Sequence, residues 1–307
     1  MDSMGTFDYT SPTTGGHISP PLPHNMIGLF DSGYGGLAIT KEFIKQYPGY
    51  SYVYLGDNAR APYGSRPPEE IFEFTRQGVE FLLEKGCPLV ILACNTASAN
   101  ALRKIQQEVL PARWPDRKVL GIIVPTIEQI TGVDWNATHS DEDATQTVAV
   151  LATEMTVKSG AYTNEIKKRA PNMVVVQQAC PAIVPLLENG EREKAVHEMR
   201  KYLGDLEENM AHVHFSWPPD SLVLGCTHYE LIAEEIKKMI PTGVHVYLQS
   251  QIIAAGLAQY LARHPEVEER IEKTGARTFY TTGDPALVTG KANMFMDPAP
   301  NFEKAIL

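Results

Sequence analysis

Cysteine is scarce in this chain: there are four in 307 residues, with no CxxC pair and no zinc-ligand spacing. That excludes a disulfide scaffold and makes reduced thiols in a cytoplasmic setting the expectation. No apolar run approaches the roughly 18 residues of a membrane span. The longest, Pro88–Ala93, lies between Cys87 and Cys94 and has the length of a buried strand. Positive charge is also short, with 27 Lys and Arg against 37 Asp and Glu for a formal net charge of −10. This balance argues against nucleic acid and against an anionic membrane as partners. A small anionic ligand stays open if its pocket supplies local hydrogen-bond donors. The first 25 residues hold Asp2 and Asp8 but no Lys or Arg. They are expected to form a flexible N-terminal arm (1–25) without chemistry, rather than a basic signal or transit peptide.

What is present is an ordinary globular composition, 43% hydrophobic and 21% charged, long enough for one large domain or two modest ones. From Met26 onward short apolar runs alternate with amphipathic ones. Met26–Phe30, Ser51–Leu55, Leu89–Ala93 and Val119–Val124 read as one series of strands. Thr147–Ala152, Met173–Gln177, Leu222–Leu224 and Val244–Leu248 read as a second. Their continuous Val, Ile and Leu content suits parallel strands buried on both faces. Helical patterns separate them, for instance Leu102, Ile105 and Val109 on one face, with Ser98 as the expected N-cap, and Leu231, Ile232, Ile236 and Met239 on another. The fold class expected is α/β: doubly wound parallel sheets, in two similar halves rather than one sheet. The polar stretch Gly132–Gln146 is expected to be a surface loop between the halves, and the Glu/Lys-rich stretch Gly190–Phe215 a helix with a solvated face.

Ligands of open α/β sheets sit beyond the carboxyl ends of the strands. The first strand is followed by Asp31, Ser32, Gly33, Tyr34, Gly35 and Gly36, a turn that lets backbone approach a ligand. Gly33, Gly35 and Ala38 also match GxGxxA, with Asp57 at the end of the next strand, so an NAD-type oxidoreductase is the runner-up. Asp57 and Arg60 read as a surface ion pair, and Pro62-Tyr63-Gly64 as a turn. The third strand runs into Cys94, Asn95 and Thr96, and its counterpart in the second half runs through Gly225 into Cys226, Thr227 and His228. Each cysteine opens a helix, a setting expected to lower a thiol's pKa. Cys87 and Cys180 read as packing residues. Two thiols facing one ligand suit removal of a proton from one face of a carbon and delivery to the other, with His228 and Asp31 as their helpers. A Cys–His hydrolase leaves the second cysteine idle, a redox disulfide lacks support in the spacing, and a non-catalytic amino-acid-binding module remains the other class. Glu188 is open between cleft and solvent, and Thr153 and Thr156 between ligand donors and helix caps.

The ordered segments Phe30–Gly36 (FDSGYGG), Leu55–Gly64 (LGDNARAPYG), Ala93–Ser98 (ACNTAS), Ala179–Glu188 (ACPAIVPLLE) and Leu224–Tyr229 (LGCTHY) resemble those of glutamate racemases, within the cofactor-independent aspartate/glutamate racemase superfamily. The resemblance runs from Ile27 to about Asp284. It implies racemisation of L- and D-glutamate without pyridoxal phosphate, metal or other cofactor, supplying D-glutamate for peptidoglycan. It implies that Cys94 and Cys226 are the two acid/base residues, helped by Asp31 and His228. Ser32, Tyr63, Gly64, Asn95, Thr96 and Thr227 are implied as substrate-binding, and Asp57 and Glu188 as supporting acids. The resemblance implies two doubly wound parallel-sheet domains with the active site at their interface: a domain 26–125 joined by a returning segment 243–307, and a second domain 126–242. Related members act on aspartate, hydantoins or malonates, so aspartate is the nearest alternative substrate. Tyr34 stands where Val is common, Asn58 for Thr, Glu230 for Pro, and Gln249-Ser250 for Asp-Ser. A homodimer and a regulatory cell-wall precursor are candidate partners on which the sequence does not decide.

Overall fold

The computed structural model describes residues 25–133 and 146–307. The N-terminal arm, apart from Asn25, and most of the 132–146 loop lie outside the described residues. Ten strands are present among them: β1 (Ile27–Asp31), β2 (Tyr52–Gly56), β3 (Leu89–Leu92), β4 (Lys118–Gly121), β5 (Thr147–Ala152), β6 (Val174–Ala179), β7 (Ser221–Gly225), β8 (His245–Tyr247), β9 (Arg277–Thr281) and β10 (Glu303–Lys304). They form two sheets, β10-β9-β2-β1-β3-β4 and β6-β5-β7-β8. Every pairing is parallel. The expected class of two wound α/β sheets holds, and the apolar runs lie where continuous burial on both faces requires them.

Helices cover both faces of each sheet. One face of the first sheet packs Leu37, Ile39 and Phe43 of the helix Gly36–Gln46 with Ile253, Leu257 and Leu261 of the helix Gln249–Arg263. The other packs Ile71, Val79 and Leu82 of the helix Pro68–Glu84. In the second half Ala195, Met199, Leu203, Leu206 and Met210 form the buried stripe of the helix Arg192–His212, whose charged residues face water as expected.

Three boundaries differ from the sequence reading. β4 stops at Gly121 rather than Val124, because Ile123, Ile127 and Ile130 recur at helical spacing. They pack the helix Ile123–Thr131 onto Val148, Val150 and Ile166 of the second half. The expected break at 125/126 would cut this helix in two, so the crossing between sheets comes just after β4. The return at 243 is also too early: β8 still pairs with β7, and the His245 N–H donates to the Asp220 carbonyl at 3.1 Å. Only after Tyr247 does the chain return, and β9 and β10 then extend the first sheet beside β2. Ser98 is not an N-cap either. Its helix begins at Asn95, and Ser98 Oγ donates to the Leu92 carbonyl at 3.1 Å from within it.

A buried polar network ties the two halves together. Gln249, at the start of its helix, accepts from Asn95 Nδ2 at 2.5 Å. It donates to Thr126 Oγ1 and to the Tyr162 hydroxyl at 3.0 Å each, and that hydroxyl donates to Asn95 Oδ1 at 2.8 Å. Gln249 is fully buried, so loss of its amide strands partners that water cannot reach. Gln249→Leu is expected to cost about 1–3 kcal/mol of stability. Urea unfolding checks this, and an unchanged midpoint would show that the network does not hold the halves together.

Candidate active site

The order of strands decides where a ligand can sit. In the first sheet the chain goes from β1 out to β2 and then back across to β3, which leaves a crevice beyond the ends of β1 and β3. Asp31, Ser32 and Cys94 stand there. In the second sheet the same reversal falls between β5 and β7, where Thr153 and Cys226 stand. The two crevices meet in one cavity of about 60 Å³. Its walls include both cysteines, Asp31, Ser32, Tyr63, Gly64, Asn95, Thr96, Thr227, His228 and Glu188. Of the twelve residues singled out in the sequence, only Asp57 is absent from the wall.

Cys94 closes the first turn of its helix, accepting from the Ala97 N–H at 3.4 Å, and lies 3.3 Å from Ser32 Oγ. The expected lowering of its pKa does not occur. Burial pushes the thiol up to about 12, and the nearby Asp31 carboxylate adds to the effect, against the Ser32 and Ala97 hydrogen bonds. A short helix end cannot offset the loss of water around a buried sulfur. Asp31 is itself raised above the usual carboxylate range, first by burial and in spite of His228 and two backbone N–H groups.

Cys226 has a different surrounding. His228 Nδ1 is 3.9 Å from its sulfur, and the other ring nitrogen is 2.9 Å from Glu188 Oε1. Burial works against a charged imidazole, but Cys226 and Glu188 outweigh it and raise His228 from 6.5 to about 10. Glu188 ends the helix Ile183–Glu188 and points into the cleft. Asp57 lies behind the wall: it accepts from Arg60 at 2.7 Å, Thr282 Oγ1 at 2.6 Å and the Tyr63 hydroxyl, and so sets the tyrosine in place. Asn95 borders the cavity, with its side-chain amide committed to Gln249 and Tyr162.

The sequence reading left some wall residues unassigned. Thr153 caps the helix Glu154–Ser159 and also faces the cavity, with Thr96 Oγ1 at 2.9 Å. Its place beyond β5, at the reversal of strand order, was the available signal. Val184 was legible only through its spacing of four from Glu188, which puts both on one helical face.

The dinucleotide reading fails on geometry. A Cβ on Gly33 would sit 2.9 Å from Glu188 Oε1, and one on Gly35 would sit 2.1 Å from Thr227 Oγ1. Side chains of the second half therefore fill the space over the glycine turn that a pyrophosphate would need, and Asp57 is too enclosed to hold a ribose.

Comparison with known proteins agrees with this geometry. The profile of the family described as Asp/Glu/Hydantoin racemase matches residues 27–257. The chain belongs to the Asp/Glu/hydantoin racemase family. Its enzyme class is accordingly that of an isomerase. Among curated relatives, glutamate racemase of Dinoroseobacter shibae is 40% identical over 271 residues, covering 88% of this chain and 95% of the relative. That of Paracoccus denitrificans is 40% identical over 91% of this chain and 99% of the relative. Among solved structures, glutamate racemase isoform RacE1 of Bacillus anthracis superposes with a TM-score of 0.78 at 27% identity, covering 93% of this chain and 98% of that one. The Francisella tularensis enzyme, solved in complex with D-glutamate, gives 0.73 at 28% identity over the same shares.

Two outcomes are expected from this geometry. In Gly35→Ala the new methyl displaces Thr227 and His228, so racemase turnover should fall by about 10²-fold while the protein still melts cooperatively. Full turnover would show that the turn has slack. For His228 the sign follows from a raised value: its stabilisation is complete below 6.5 and is lost as the pH rises through about 10. The stability difference between wild type and His228→Gln should therefore be greatest near neutral or mildly acid pH and shrink toward pH 10. A difference independent of pH in urea titrations would contradict this.

Proposed function

We propose that this member of the family interconverts L- and D-glutamate through two thiols and without a cofactor, and that in a bacterial cytoplasm it would supply D-glutamate for peptidoglycan. The observation that carries the reading is the pair of cysteines, one beyond each sheet's reversal of strand order, lining one cavity. The names of the curated relatives and the D-glutamate complex of the Francisella enzyme support the choice of substrate.

In each direction one cysteine, as thiolate, takes the α-proton from carbon. The other, as thiol, delivers its own proton to the opposite face, and the roles are exchanged at the end. Ser32, Thr96, Thr153 and Thr227 offer hydroxyls to a substrate's carboxylates, which accounts for anion binding by an acidic protein. His228, hydrogen-bonded to Glu188, is placed to hold or relay the Cys226 proton. Among the described residues the partners of the Cys94 sulfur are Ser32 and the Ala97 N–H, with no histidine bonded to it as at Cys226. Burial and Asp31 hold it as a thiol, and a substrate ammonium beside them would favour its deprotonation. The cavity keeps water from the carbanion, and preorganised donors face the charge that develops on the α-carboxylate.

Circular dichroism of each glutamate enantiomer, followed with purified protein and no added cofactor, tests the reading. The signal should decay to zero from both sides, with aspartate much slower. Cys94→Ser and Cys226→Ser should each lower turnover by about 10²–10⁴-fold or more, the range that positioned acid–base groups contribute. Normal turnover in either variant would remove the two-thiol mechanism. Glutamate binding without exchange of the α-hydrogen for solvent deuterium would point to a binding module.

A further inference from the structure

Phe295 lies beyond the family match, which ends at residue 257. Its segment is anchored on both sides, by β9 against β2 and by β10 against β9. The helix Pro285–Ala292 then turns, with the Phe295 N–H donating to the Ala292 carbonyl at 2.9 Å, and the ring enters the first-sheet core. There it stacks on Tyr34 with centroids 5.7 Å apart and planes at 13°. It also meets the His228 imidazole at 5.2 Å and 81°. Tyr34 is the residue that departs from the common Val of the glycine turn, and Glu188 is close enough to raise its phenol, after burial.

An imidazole can turn by 180° about its bond to Cβ, which puts each ring nitrogen where a ring carbon stood. Only one of the two settings puts Nδ1 toward Cys226 and the other nitrogen on Glu188. A near-perpendicular ring at van der Waals distance obstructs the sweep between them. Gly35 also abuts the imidazole, since a Cβ there would lie 2.6 Å from Nδ1. The histidine belongs to the second half, while Phe295, Tyr34 and Gly35 all belong to the first.

We propose that Phe295, seated on Tyr34, is a positioning residue that holds His228 in the setting that serves Cys226, making the last segment of the chain part of the catalytic apparatus. This rests on the two-thiol reading above. It predicts a defect confined to proton transfer at Cys226, whichever enantiomer that thiol serves.

The test uses the full chain with Phe295→Leu and Phe295→Met. Phe302→Leu serves as a control in the same segment, since Phe302 packs on Tyr54 and Phe279 and is absent from the cavity wall. In both Phe295 variants kcat should fall about 3- to 10-fold, the scale of one aromatic contact, with KM little changed. With one enantiomer the isotope effect of α-deuterated substrate should rise, because removal of that deuterium by Cys226 now limits the rate. With the other, the limiting step is delivery of the Cys226 proton, so the substrate effect should fall and the solvent effect should rise. Phe302→Leu should lower Tm without this asymmetry. Equal isotope effects from both enantiomers in the Phe295 variants, or the same asymmetry in Phe302→Leu, would overturn the proposal. If wild type itself fails to racemise, the two-thiol reading fails instead, and wild type is measured first.

Discussion

The site depends on removing charged and polar groups from water where the two sheets meet. Asp31, Cys94, Cys226 and His228 are each at least 94% buried, and burial is the largest influence on Asp31, Cys94 and His228. A dry seam makes each remaining hydrogen bond count for more and each unpaired group cost more. Several polar side chains there have a defined partner: Ser32 on Cys94, Glu188 on His228, Thr153 on Thr96. Two half-sites brought face to face supply this environment.

The halves resemble each other in topology and differ in chemistry. Each places a cysteine beyond the strand where the winding reverses. The first gives its thiol an anionic neighbour and a hydroxyl, which favours the protonated form. The second gives its sulfur a histidine whose charged form is favoured by that sulfur and by Glu188 against burial. One sulfur therefore lies beside an anion and the other beside an imidazole, an asymmetry between half-sites of similar topology. The likeness comes from strand order, and the difference from single residues at the following turns.

Stability and activity pull against each other at this seam. Burial works against the charged form of Asp31, and the glycines at 33 and 35 are needed because side chains of the opposite half press against them. Groups away from the cavity compensate. The Gln249 network joins both halves with a neutral amide where the common pattern has a carboxylate. Glu230, in place of the common proline, accepts from both the N–H and the hydroxyl of Ser250 at the start of the same helix. The two departures meet at one point and leave that helix end capped by a residue of the segment that carries His228.

By itself the sequence determined the local chemistry. Apolar runs without alternation required parallel strands covered on both faces, and the residues after those runs were bound to stand at one edge of a sheet. The pairing of Cys94 with Cys226 was legible for that reason, as was the cluster Asp31, Ser32, Thr227 and His228. Tertiary structure alone decided what depends on distance in space. It turned Glu188 toward His228, set Asp57 behind Tyr63, carried the Val119–Val124 run into a helix beyond Gly121, and kept β8 in the second sheet. It also reversed the expected effect on Cys94. A helix start is visible in a sequence, but the depth of burial that outweighs it belongs only to the packed pair of sheets.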